Sequence, residues 1–175
     1  MAEVLLRHHL SPLAGAVTVS SAGLYEGGSL ATAHGRAAMA RRGLDLEAHR
    51  SRQVDAAMVA EAGLVIGMAR EHVREAVALD PAALAKTFSL KELVGRAQAV
   101  GQRSADEGFE QWLGRLGVGH RREDLLGVGH DAATDVADPV GRGPADYERT
   151  ANLLDDLLGR FVSLAWPIAA REGAA

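Results

Sequence analysis

The sequence predicts an α/β domain built around a short parallel sheet. Three observations point there: brief apolar or β-branched runs that read as strands, amphipathic stretches that read as helices, and their alternation along the chain. Leu64–Met68 (LVIGM) is a continuous apolar run of the kind buried on both faces of a parallel sheet. Ala16–Ser21 (AVTVSS) is β-branched and leads into the Ala22-Gly23 turn, and Thr87–Leu90 (TFSL) is a third, brief strand.

The helices follow from spacing and punctuation. Ala2–Leu10 (AEVLLRHHL) is amphipathic, although a helix that opens an α/β unit normally follows a strand. Ala31–Arg42 places Ala and Met at helical spacing and stops at Gly43. Asp55 caps a helix through Ala62, and Ala69–Leu79 forms the next, after which Asp80-Pro81 restarts the chain in N-cap and N1 roles. Ser104–Leu116 is helical around Phe109, Trp112 and Leu113. The strongest pattern is Ala145–Ala165, where Tyr147, Leu154, Leu158, Phe161 and Ala165 share a face with Leu153 and Leu157. One domain over residues 1–167 with a disordered tail over 168–175 is the expected organisation.

Composition narrows the function. A net charge of -4 favours neither nucleic acid nor an anionic membrane as partner, and the pairs Arg41-Arg42 and Arg121-Arg122 read as solvated helix ends. His8-His9 likewise reads as surface. No run reaches the length of a membrane span and no secretory leader pattern opens the chain, so a cytoplasmic setting is expected. Cysteine is absent, which removes disulfides, thiolate metal sites and any sulfur nucleophile from these 175 residues.

The segment Asp135–Tyr147 (DVADPVGRGPADY) carries the most pointed chemistry. Pro139 fixes its own φ and holds Asp138 extended, so that a carboxylate projects from a stiff loop, as general acid catalysis requires; the plainer reading is a turn before a helix. The longest irregular stretch, Gly117–Gly143, contains it. His130, Asp131, Asp135 and Asp138 also read as a metal cluster of imidazole and carboxylates, without a spacing that fixes their geometry. His49-Arg50-Ser51-Arg52 reads either as a phosphate-binding cluster or as a connection whose arginines reach solvent or helix carboxyl ends. Neither a G-x-S-x-G elbow nor a Walker loop occurs, and Gly27-Gly28-Ser29 is a turn.

In order along the chain, these segments resemble the low-molecular-weight protein tyrosine phosphatases. Met1-Ala2-Glu3 is similar to the end of the family signature, which reads C-x5-R-S-P-x-A-E. Val19–Gly23 (VSSAG) resembles its second strand and turn, Gly43–Gln53 its His-x-x-Arg-Gln connection, Leu64–His72 its third strand, and Asp135–Tyr147 its Asp-Pro loop with the following helix.

The resemblance implies a three-layer phosphatase-like fold with an incomplete parallel sheet of about three strands flanked by helices. It implies hydrolysis of phosphotyrosine in a protein, or of a small aryl phosphate, without metal or cofactor. A cysteine thiolate would attack phosphorus, and Asp138 would protonate the leaving phenolate. By the same resemblance Ser21 steadies the loop, Tyr25 flanks the substrate ring and Pro139 holds the acid. The departures are the Cys-x5-Arg loop and the first strand, neither of which is present in the 175 residues; Val140 and Leu24 stand where an aromatic residue and a Thr are usual. The chain as given is therefore expected to be inert. Either it begins at an internal Met of a longer enzyme, or it is an inactive homologue that binds a partner. The first strand would separate Val17–Ser21 from Leu64–Met68, so these should close up, be bridged by another segment or subunit, or leave a gap; self-association through exposed strand edges is expected with them.

Overall fold

A computed structural model describes residues 1–13, 17–121, 131 and 133–167. Its helices are α1 (Ala2–His9), α2 (Ala33–Ala40), α3 (Ala56–Glu61), α4 (Arg70–Leu79), α5 (Leu90–Val100), α6 (Phe109–Leu116) and α7 (Pro144–Ala165), and its strands are β1 (Val65–Gly67) and β2 (Thr87–Ser89). Among the described residues no helix is long and apolar enough to cross a membrane.

β1 and β2 pair in parallel, with Val65 opposite Thr87, Ile66 opposite Phe88 and Gly67 opposite Ser89. Strand side chains alternate between faces, and the two faces meet different cores. Phe88 is fully buried in the main cluster, with Ile66 packed against it, beside Leu5, Met39, Leu93, Trp112, Leu158 and Phe161. Val65 instead packs against the smaller cluster of Val59, Ala76 and Ala83 beneath α3 and α4. The sheet thus lies between two helical layers, as the α/β pattern predicts.

α7 organises the main core. Pro144 starts it at a position where the missing N–H costs nothing, and Tyr147, Ala151, Leu154, Leu158, Phe161 and Ala165 form its buried stripe. It packs against α1, α2 and α5. His9 of α1 rests on Gly159 and pairs with Asp155 at 2.7 Å, so it is not the surface residue its sequence neighbourhood suggests. Arg41 and Arg42 are not simply solvated either: both grip Glu148 of α7, at 2.5 and 2.9 Å, and Arg42 also donates to Asn152.

The sheet has two strands among the described residues, where about three were expected. Val17–Ser21 keeps a strand's alternation, with Val17, Val19 and Ser21 half-buried and Thr18 and Ser20 exposed, yet it joins no ladder. Two of its carbonyls are taken by side chains. Arg7 of α1 donates to Val19 O from Nε at 3.1 Å and Nη2 at 2.6 Å, and Arg52 Nε donates to Ser21 O at 2.8 Å. Guanidinium groups satisfy these carbonyls where a neighbouring strand would otherwise do so.

One helix was not expected, and one starts later than expected. Leu90–Val100 forms α5, capped by Ser89, which accepts from Glu92 N at 3.4 Å. Ser104–Glu107 is a turn, and the helix starts after Gly108. The proposed tail over 168–175 lies outside the described residues.

Candidate active site

The Asp-Pro loop lies against the C-terminal end of β1. Val136 N donates to Met68 O at 2.7 Å, one residue beyond the strand. Asp138 then projects into solvent, its Oδ1 accepting from Val140 N at 2.9 Å in a local turn that its short carboxylate side chain suits. Pro139 is buried behind it, and Val140 is exposed. Gly141, at φ 78°, turns the chain on toward α7. The placement at the C-terminal edge of a parallel strand is where open α/β sheets present their sites.

A second group of residues sits at the start of α1. Glu3 is nearly enclosed and accepts a very short hydrogen bond from the Ser21 hydroxyl, an ion pair from Arg7 at 2.6 Å, and the approach of His49 Nδ1 at 3.8 Å. Ser21 is thereby tied to the first turn of α1. Arg52, from the His49-Arg50-Ser51-Arg52 segment, is exposed and donates from Nε to the Ser21 carbonyl. Sequence reading quoted Glu3 only as part of a motif; its signal was the acidic residue in a first turn that also has Arg7 four positions on.

Tyr25 sits at the tip of a ribbon and is 85% exposed. The ribbon is fixed by Gly23 N to Arg52 O at 2.9 Å, Val54 N to Gly23 O at 2.9 Å and Gly28 N to Ser51 O at 2.7 Å. Gly27 lets the two chains close: a Cβ there would lie 2.8 Å from Ser51 O and 2.9 Å from Arg52 Cα. Among the described residues no hydrogen bond joins Asp138 to Ser21 or Tyr25; each is held separately by its own element.

The metal reading fails on geometry for its best-placed member. Asp135 is buried, and its oxygens accept from Arg70 N, Asp131 N and Thr134 Oγ1. Asp135 is thus engaged by three protein donors, while Asp138 is exposed to solvent. His130 lies outside the described residues.

Comparison with known proteins places the chain in a family. The family model described as low molecular weight phosphotyrosine protein phosphatase matches residues 1–106. A search of curated proteins finds no match. Among solved structures, the YwlE arginine phosphatase from Geobacillus stearothermophilus is similar at 25% identity and TM-score 0.64, over 93% of this chain and 80% of that one. The low molecular weight protein tyrosine phosphatase from T. tengcongensis is similar at 22% identity and TM-score 0.67, over 93% and 87%. Wzb from Vibrio vulnificus, in complex with benzylphosphonate, is similar at 20% identity and TM-score 0.60, over 90% and 83%. With its match running from Met1 through both strands and α5, the chain belongs to the low molecular weight phosphotyrosine protein phosphatase family.

Proposed function

We propose that this chain carries the leaving-group side of a phosphotyrosine or aryl phosphate hydrolase site and is catalytically silent as it stands. The observation that carries the proposal is a fixed acid loop in a sequence without any cysteine. Phosphoryl transfer in this family needs a thiolate to attack phosphorus and an acid to protonate the departing phenolate. Asp138 suits the second role. One of its oxygens is used in the local turn, and the other has no hydrogen-bond partner among the described residues, which leaves it available to a leaving oxygen. Ser21, tied to Glu3, steadies the start of α1; Tyr25 flanks the substrate ring; Pro139 holds the acid. The aryl-like phosphonate bound by Wzb from Vibrio vulnificus supports the substrate class. A cytoplasmic setting is part of this reading.

A second reading is a non-catalytic binding or regulatory module of the same fold. What favours it is the two-stranded sheet, in which β1 and β2 each have one edge without a strand neighbour among the described residues. Such edges are templates for another chain, including a second copy.

Turnover decides between activity and silence. The chain incubated with p-nitrophenyl phosphate, and in parallel with phosphoarginine, should show no hydrolysis above background, because an acid without nucleophile or oxyanion cradle supplies little rate. Hydrolysis that survives phosphatase-free purification and is lost in Asp138→Ala overturns the proposal. Light scattering across a concentration series tests the second reading, which fails if aryl phosphonate binds and the chain stays monomeric throughout.

A further inference from the structure

The acid loop is anchored by three consecutive residues, and a buried carboxylate, Asp135, heads the series. α4 begins at Arg70, and its N-cap residue, Ala69, has no side-chain acceptor to offer. The first N–H groups of a helix need partners from elsewhere when the local cap is apolar. Here the partner comes from 65 residues away: Asp135 Oδ1 accepts from Arg70 N at 2.9 Å. Its Oδ2 accepts from Asp131 N at 2.8 Å, and Thr134 Oγ1 donates to Oδ1 at 3.2 Å. A carboxylate only 4% exposed is tolerated when its oxygens are so occupied and when it faces the positive end of a helix.

The next two residues complete the attachment. Val136 N donates to Met68 O at 2.7 Å, so residues 135 and 136 take one donor and one acceptor from the turn joining β1 to α4. Ala137 O accepts from Thr150 Oγ1 of α7 at 3.3 Å. That turn cannot easily give way: a Cβ on Gly67 would meet Val73, Ala69 O and His72 within 3.0–3.1 Å. Asp138 follows immediately, exposed, beyond the last anchor.

We propose that Asp135 is a positioning residue for Asp138, a buried carboxylate bracket that locks the acid loop to the β1–α4 turn. The inference rests on the reading of Asp138 as the acid. It assigns Asp135 a duty beyond capping α4, and the two duties are separable. Asp135→Ala removes both; Asp135→Ala with Ala69→Ser returns a cap to α4 without reconnecting the loop. Amide exchange at Val136, whose N–H bonds Met68 O, reports the loop, and amides in the buried part of α7 report the fold.

Exchange at Val136 should rise about ten- to a hundred-fold in Asp135→Ala, as loss of buried hydrogen bonds predicts. It should stay raised in the double variant while thermal stability recovers, with the carboxyl carbon resonance of Asp138 displaced in both. Asp135→Asn keeps an oxygen for Arg70 but meets Asp131 N with a donor, so it should fall between wild type and Ala; it also serves if Asp135→Ala fails to fold. The proposal is overturned if Val136 exchange is unchanged in Asp135→Ala or Asp135→Asn, or if Ala69→Ser alone restores it. Failure of the acid assignment shows elsewhere, in turnover of an active form that ignores Asp138→Ala, and leaves the exchange result intact.

Discussion

Glu148 shows how a single side chain can join two helices and make that junction sensitive to acid. The Arg41 guanidinium first, and Arg42 with it, hold the Glu148 carboxyl below its ordinary value of 4.5. A carboxylate with a lowered folded-state pKa contributes stability above its unfolded value and loses it as pH falls through the folded one. The Tm difference between wild type and Glu148→Gln should therefore be present at neutral pH and vanish as pH drops below the ordinary glutamate range. Because Glu148 is about one-third exposed (31%), the effect is held to under about 1 kcal/mol. A difference that persists undiminished in acid contradicts the ion-pair account. Gly27 acts through space where Glu148 acts through charge. Its missing Cβ lets the ribbon that carries Tyr25 close on backbone atoms, which cannot rotate aside as a side-chain tip can. Gly27→Ala should open that ribbon locally, raising amide exchange at Gly28 and Ser51 without altering α7.

At the scale of elements, α7 is where sequence pattern and structure agree most closely, because its buried stripe repeats at helical spacing for more than five turns. Phe161 and Trp112 are fully buried on facing helices with ring centroids 6.1 Å apart, and Trp112 Nε1 donates to Gly101 O at 3.0 Å. Phe161→Ala should cost about 3–5 kcal/mol, readable as a lower denaturant midpoint with little change in slope; a loss under about 1 kcal/mol would mean the site collapses around the void. α5 was equally legible in principle. Ser89 and Glu92 have the spacing of a capping box, and Leu90, Leu93, Val94 and Ala97 recur at three and four residues. The strand pattern over Thr87–Leu90 overlaps its first residue, since Leu90 belongs to the helix. Val17–Ser21 failed as a strand for the opposite reason. Its local pattern was right, but a strand is defined by a neighbour, and two of its carbonyls, those of Val19 and Ser21, accept from the side chains of Arg7 and Arg52. No local pattern announces such long-range partners. Asp135 was hidden in the same way, since its cap on α4 links residues far apart in sequence. Asp138 and Pro139 were legible because a stiff Asp-Pro turn is encoded by adjacent residues.

On the scale of the whole molecule, the start of α1 and the Asp-Pro loop are held by independent means. Glu3, Ser21 and Arg52 fix the first turn of α1, while Asp135, Val136 and Ala137 fix the loop at the end of β1. Both supports are made by residues of the described chain itself. Joining a strand and a C-x5-R-S-P segment ahead of Met1 would deliver a thiolate at the N-terminus of α1, where backbone N–H groups and the helix dipole favour phosphate. That longer protein should hydrolyse aryl phosphates, and Asp138→Ala should then lower its turnover on the order of a hundred-fold or more. The loss must depend on the leaving group. Phenolate is a strong base and needs the proton, so phenyl phosphate should suffer most; p-nitrophenolate departs more readily, so its ester should suffer least. Steady-state rates on the two esters, for Asp138 and Asp138→Ala side by side, measure that contrast. Equal losses on both would indicate that Asp138 serves the structure of the loop and not proton transfer. An unchanged rate on phenyl phosphate would remove Asp138 from the reaction altogether.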